Sequence, residues 1–148
     1  MKTFQFILFA LLSSLSSCKK EYIVTEDTYP DGSPRKVCVY RGTGEEKELV
    51  RETTYYPDKK TQMEGGYVNG KRDGKWTSWY DNGNVWSVGY FKNGKGEGKR
   101  ITYFENGKVR YEGYYKADER TGIWRFFDEE GKLLREMDYT AAQKNKGP

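Results

Sequence analysis

Histidine is absent from the 148 residues. That removes the usual proton shuttle near neutral pH and the commonest transition-metal ligand. Cysteine is limited to Cys18 and Cys38, and neither thiol has an imidazole base to activate it. Long apolar runs are missing beyond the first residues, and a mean hydropathy of −0.99 leaves no large aliphatic core to expect. Charge of one sign is not segregated either. Lys and Arg total 26 against 22 Asp and Glu, a formal net charge of +4. The two signs alternate along the chain, which fits a solvated surface and supplies no basic stripe for nucleic acid.

What the chain does have is aromatic side chains, 16% of its residues, and 17 glycines. So many rings do not suit a disordered chain, and the length suits one modest domain. The first residues read as a secretory signal over 1–17. Lys2 supplies the positive start, and Phe4 to Leu12 form an apolar stretch too short to span a bilayer. Leu15-Ser16-Ser17-Cys18 follows. This resembles the bacterial lipobox, in which cleavage before the cysteine leaves a thiol that carries a diacylglyceryl group. Cys18 is then an attachment point, residues 18–28 a charged tether, and Cys38 has no partner for a disulfide. The expected location is the cell envelope, with the domain facing periplasm or cell surface and joined to the membrane through its lipid.

A repeat of 24 residues organises the remainder. Asn82-Gly83 returns as Asn106-Gly107, and Asn69-Gly70 as Asn93-Gly94, each 24 further on. Gly65, Gly89 and Gly113 keep that spacing, as do Gly74, Gly98 and Gly122. A partial copy runs from Phe127 through Gly131 to Tyr139, a degenerate one starts at Tyr29-Pro30-Asp31-Gly32, and residues 33–54 show no period. Asn-Gly between runs of Tyr, Trp, Val and Phe is the signature of a β-hairpin closed by a type I′ turn. The expectation is therefore an all-β fold. It is an elongated antiparallel meander of stacked hairpins with roughly eight to ten strands over 29–139, and a flexible tail over 140–148.

An even period keeps equivalent residues on one face of a sheet. A two-residue turn at Asn82-Gly83 would pair Tyr80 with Val85, Ser78 with Ser87 and Trp76 with Gly89, so that an indole can lie over bare backbone. The opposite face would carry Trp79 across from Trp86. Both faces are then partly aromatic, and one layer cannot bury both. Either the sheet curls over one face, or one face is left for a partner. The charged last strand and the divergent first part would guard the two open edges.

The units Asn69-Gly-Lys-Arg-Asp-Gly-Lys-Trp76 and Tyr103-Phe-Glu-Asn-Gly-Lys108 resemble the MORN-repeat variant, as found in the group called YwqK-family antitoxins. The resemblance covers about residues 55–139 and reaches more weakly back to Tyr29. It implies an elongated sheet of stacked hairpins and a role in neutralising a toxin or scaffolding partners.

The residues themselves imply that no enzyme is present. Asp128-Glu129-Glu130 sits where a turn is expected and reads as a charged loop. The loops Gly70–Gly74 and Gly94–Gly98 lack the helix and the Walker pattern of a phosphate cradle. No metal-ligand spacing and no cofactor motif occurs. The candidate binding face is Trp79, Trp86, Tyr90, Tyr103 and Tyr114, rings suited to a protein partner in the envelope. The alternative for the same rings is envelope glycan or membrane lipid.

Overall fold

Glycine-bearing turns end one strand and start the next, and every strand pairs with its neighbour in the chain. The computed structural model describes residues 20–140. The strands are β1 (Glu21–Thr28), β2 (Pro34–Arg41), β3 (Glu48–Tyr55), β4 (Thr61–Val68), β5 (Lys71–Trp79) and β6 (Val85–Lys92). They continue with β7 (Lys95–Gly96), β8 (Gly98–Tyr103), β9 (Val109–Lys116), β10 (Glu119–Phe127) and β11 (Leu133–Asp138). All eleven belong to one open antiparallel sheet, and the two-residue β7 pairs only with β6. Among the described residues there is no α-helix, only a 3-10 turn at Gly44–Glu46. The expected meander is what forms.

Two expectations change at the N-terminal end. Residues 21–28, read as tether, are strand β1, paired with β2 from Glu21↔Arg41 to Thr28↔Pro34. Alternation of Tyr22, Val24 and Thr28 with charged neighbours is enough to lay this segment on Val37-Cys38-Val39. The aperiodic stretch 33–54 is also regular, forming β2 and β3 around the Gly44–Glu46 turn. Cys18 lies outside the described residues, and so does all of the 140–148 tail except Thr140.

The Asn-Gly dipeptides do two different jobs. At Asn69-Gly70 and Asn93-Gly94 both residues have positive φ (50° and 71°, 51° and 84°), the two-residue turn that was expected. At Asn82-Gly83 and Asn106-Gly107 only the glycine does, at 90° and 82°. There the loop has three residues, closed by Gly83 N–H donating to the Tyr80 carbonyl at 3.0 Å and Tyr80 N–H to that of Asn84 at 2.8 Å. The asparagine earns its place through its side chain, since Oδ1 of Asn82 accepts from Asn84 N–H at 2.8 Å.

The longer loop shifts the register. Ser78↔Ser87 and Trp76↔Gly89 pair as expected, but Trp79 pairs with Val85, and Trp86 is left as a bulge. The expected pairs Tyr80–Val85 and Trp79–Trp86 therefore do not form. The same bulge returns at Gln62, Arg110 and Leu134, one per hairpin. Like Trp86, these residues are exposed.

With one layer, burial has to come from within the sheet. Trp124 is 0% exposed and Trp76 4%, although among the described residues no second layer covers either. Trp76 lies flat across Gly65, where a Cβ would sit 2.1 Å from its ring, and Trp124 lies across Gly113, where the distance would be 2.2 Å. Each indole N–H donates to a neighbouring backbone carbonyl, Gly66 at 3.2 Å and Tyr114 at 3.1 Å. Arg72 and Arg120 cover the outer faces at 4.0 and 4.6 Å, and Tyr67 and Tyr115 meet the rings edge-on at 5.4 and 5.1 Å. Burying such a ring is worth roughly 3 kcal/mol or more, with up to about 1 kcal/mol added per stacked cation.

At one end of the sheet the loops are tied in sequence. Tyr29 Oη donates to the Tyr55 carbonyl at 2.7 Å, Tyr56 to Trp79 at 2.8 Å and Tyr80 to Tyr103 at 2.8 Å. Phe104 has no hydroxyl to continue the series. Asn106 Nδ2 and Lys108 Nζ take over, donating to the Glu129 and Glu130 carbonyls, both at 2.9 Å.

Gly113→Ala should cost about 2–4 kcal/mol in urea unfolding, because the indole has nowhere to move. Gly89→Ala should stay within about 1 kcal/mol, since only the flexible end of Arg100 lies above it. Lys59 holds the loop position that Gly83 and Gly107 hold, with φ 68°, so Lys59→Gly should stabilise by up to about 1 kcal/mol.

Candidate functional site

The register assigns the aromatic residues to two unlike faces. One face, here the tryptophan face, carries Trp76, Trp124, Phe91, Tyr111, Tyr115 and the covering arginines. The other carries Trp79, Tyr90, Tyr103 and Tyr114, so four of the five candidate rings share one surface. Tyr90 and Tyr114 are 44% and 50% exposed and stand opposite Lys75 and Lys99. Trp86 does not join them. The bulge turns it toward the Ser87 side, where it lies 6.3 Å from the Tyr80 ring and borders a hollow with Trp76 and Ser78.

The charges divide in the same way. On the Tyr90 face, Lys99 pairs with Glu112 at 3.0 Å, and Arg125 with Glu136 at 2.5 Å. Such exposed pairs contribute little to stability but cancel much of each other's charge. On the tryptophan face the arginines lie over rings instead. Arg72 covers Trp76, Arg110 lies 5.6 Å from Phe104, Arg120 covers Trp124, and Arg135 lies 4.6 Å from Phe126. None of these four has an ion pair among the described residues. Glu52, the acid in this row, accepts from Tyr67 Oη at 3.5 Å and meets Lys36 at 3.8 Å.

The row across the tryptophan face runs Glu52, Gly65, Trp76, Gly89, with Arg100 opposite Gly113 further along. Sequence reasoning passed over these arginines because it read charge as solvated surface. The signal was present in the period: positions 76, 100 and 124 are equivalent, and Arg100 stands between two tryptophans. Met137 similarly takes the place of the glycines at 65, 89 and 113, and so closes the series.

Cys38 is 1% exposed, and burial pushes its thiol above the ordinary range. It packs between Val24 and Glu52 in the sheet register. Among the described residues no group of His, Cys, Asp or Glu could hold a metal ion. Asp128 closes the Asp128–Lys132 loop by accepting from Lys132 N–H at 2.7 Å.

Three segments, 72–93, 96–117 and 120–141, match the family model of the MORN repeat variant. Their common offset of 24 is that of the hairpin pairs, and each segment contains one of the longer loops, at 80–84, 104–108 or 128–132, with the two strands it joins. No curated protein matches the chain.

In a Cys18→Ser chain, Cys38 should react with iodoacetamide at pH 8 only as fast as the sheet opens. Alkylation should be complete within minutes in 6 M guanidinium and at least a hundredfold slower without it, at roughly the level a few kcal/mol of opening free energy sets. Fast native labelling would mean the thiol is not packed as described.

Proposed function

We propose that this chain, with its MORN repeat variants, is a membrane-anchored lipoprotein of the bacterial envelope that presents its sheet to a protein partner, in the manner of an antitoxin or immunity protein. MORN repeats point to a protein–protein or membrane-binding role. The observation that carries the choice of a protein is the open Tyr90 face. The half-exposed rings of Tyr90 and Tyr114 share this face with Ile123, itself 47% exposed, and among the described residues no second layer lies upon them. Tyrosines in such surroundings are the residues on which protein interfaces concentrate their binding energy.

The anchor supports the reading. In this reading the lipid is carried by Cys18 of the lipobox-like Leu15-Ser16-Ser17-Cys18, and β1 starts at Glu21. Three residues reach at most about 10 Å. With so short a connection the first edge strand is held beside the bilayer, and the repeats extend away from it in chain order. That order puts Tyr90 on the middle strand β6, and Tyr114 and the last strands farther along the sheet from the anchor. Acyl chains contribute roughly 0.8 kcal/mol per buried CH2, so multiple chains make attachment effectively stable.

The reading is tested in native cells. Metabolic labelling with an alkyne fatty acid should mark the wild-type chain and not Cys18→Ser. Cross-linking followed by capture should then yield one dominant protein, reduced at least tenfold by Tyr90→Ala with Tyr114→Ala. Purified cell-wall fragments or anionic vesicles that quench tryptophan emission, with no protein captured, would replace the protein partner by glycan or lipid.

A further inference from the structure

The middle repeat departs from its neighbours at several equivalent positions together. Arg100 stands where the flanking copies have Trp76 and Trp124, Gly96 where they have Arg72 and Arg120, Ser87 where the next has Tyr111, and Thr102 where the last has Phe126. All of these lie on the tryptophan face. The result is a notch in that face with a floor of Ser78, Ser87 and Thr102, between an aromatic wall of Trp76 and Phe91 and a second at Tyr111. Its volume is about 310 Å³.

Two guanidinium groups, Arg72 and Arg100, border the notch. Arg100 lies over the bare backbone of Gly89, donates to Ser87 Oγ at 3.1 Å and stands 5.9 Å from the Tyr115 ring. Among the described residues neither arginine has an ion pair. Asp118 and Arg100 both line the adjoining hollow, but the Asp118 carboxylate accepts from Gly96 N–H at 2.6 Å instead. A third tryptophan at this position would continue the packing on either side. Arginine over glycine leaves a half-buried cation whose donors are only partly used, and breaks in an otherwise consistent pattern concentrate at functional sites.

We propose that this notch binds a carboxylate on an acidic segment of the protein partner, with Arg100 as its anchoring cation and the ring walls holding the adjoining apolar side chain. The proposal rests on the reading of the chain as a protein-binding module and adds the chemistry of what it recognises. A guanidinium matches a carboxylate by two parallel hydrogen bonds, and the flanking rings lower the competition from water. The residues that line the hollow bordered by Trp76 and Arg100 include no lysine, a point-charge donor that a multiply charged phosphate wants. The unpaired arginines at 72, 110, 120 and 135 extend the same positive potential over the face, which suits an acidic partner.

The test uses the full lipidated chain in detergent and two labelled probe peptides, one alternating Glu with Phe and the other Gln with Phe. The Glu peptide should bind and the Gln peptide should bind at least tenfold more weakly. Arg100→Gln and Arg100→Trp should each lose at least tenfold for the Glu peptide, while Arg100→Trp raises the melting temperature by completing the tryptophan series. Equal binding of both peptides, or of the Glu peptide to wild type and both variants, would overturn the notch. So would full displacement of the peptide by inorganic phosphate or by anionic vesicles at matched charge. Native partner captured at wild-type yield by Arg100→Gln would sink the notch and leave the module reading standing. Capture by neither form would sink the module reading instead.

Discussion

An indole lying flat on a glycine is the contact on which the sheet depends. A single-layer sheet has no opposing layer to bury its side chains, so a large ring can leave water only by lying along the sheet's own surface. That requires the adjacent strand to have no Cβ, which is why Gly65 and Gly113 stand beside Trp76 and Trp124. The arginine above and the tyrosine beside each ring complete its enclosure. Hydrogen bonds between loops one repeat apart then hold the hairpins in register. Stability is thus assembled from neighbour contacts, as in other repeat arrays. Met137 in the glycine position ends the series at β11.

Much of this is legible in the residues, and the parts that are not have physical causes. Period, strand alternation and the Trp76–Gly89 pairing follow from Asn-Gly and glycine spacing, because an even period fixes the face. The turn type does not follow from the dipeptide. Asn-Gly serves a two-residue loop at 69–70 and a three-residue loop at 82–83, and only the length of the flanking strands decides between them. That choice moves Trp86 out of register with Trp79 and onto the other side of the sheet. The turn at Ala117-Asp118 lacks the Asn-Gly dipeptide and is signalled only by the period, which sets it 24 residues after Asn93-Gly94, and Ala117 does not favour its φ of 50°. It is held from outside by Glu97, which accepts from Ala117 N–H at 2.9 Å, and by Gly96, which donates to Asp118. Strand β1 was missed for a similar reason: its charges, read as tether, form cross-strand pairs such as Arg41 with Glu21 at 2.6 Å.

The division of charge between the faces connects fold to function. Beside Tyr114, Lys99 is paired with Glu112 and, one strand on, Arg125 with Glu136, so charge there is largely cancelled. On the tryptophan face the arginines are consumed in covering rings, so their charge is not cancelled. A structural need, the shielding of indoles without a second layer, thereby creates a cationic aromatic surface. The middle repeat, where Arg100 takes the place of an indole, turns that surface into a site of defined size. The sheet can therefore offer two unlike surfaces from one repeat.

The central claim is that two of the four tryptophans are sealed within a single layer. Hydrogen exchange at the indole N–H groups tests it directly. Trp76 and Trp124 donate to backbone carbonyls beneath their rings, whereas Trp86 is 47% exposed. The account predicts that the Trp76 and Trp124 indole protons exchange only on global opening, with protection matching that of the slowest strand amides, while the Trp86 proton exchanges freely. Fast exchange at Trp76 and Trp124, at the rate of Trp86, would contradict it.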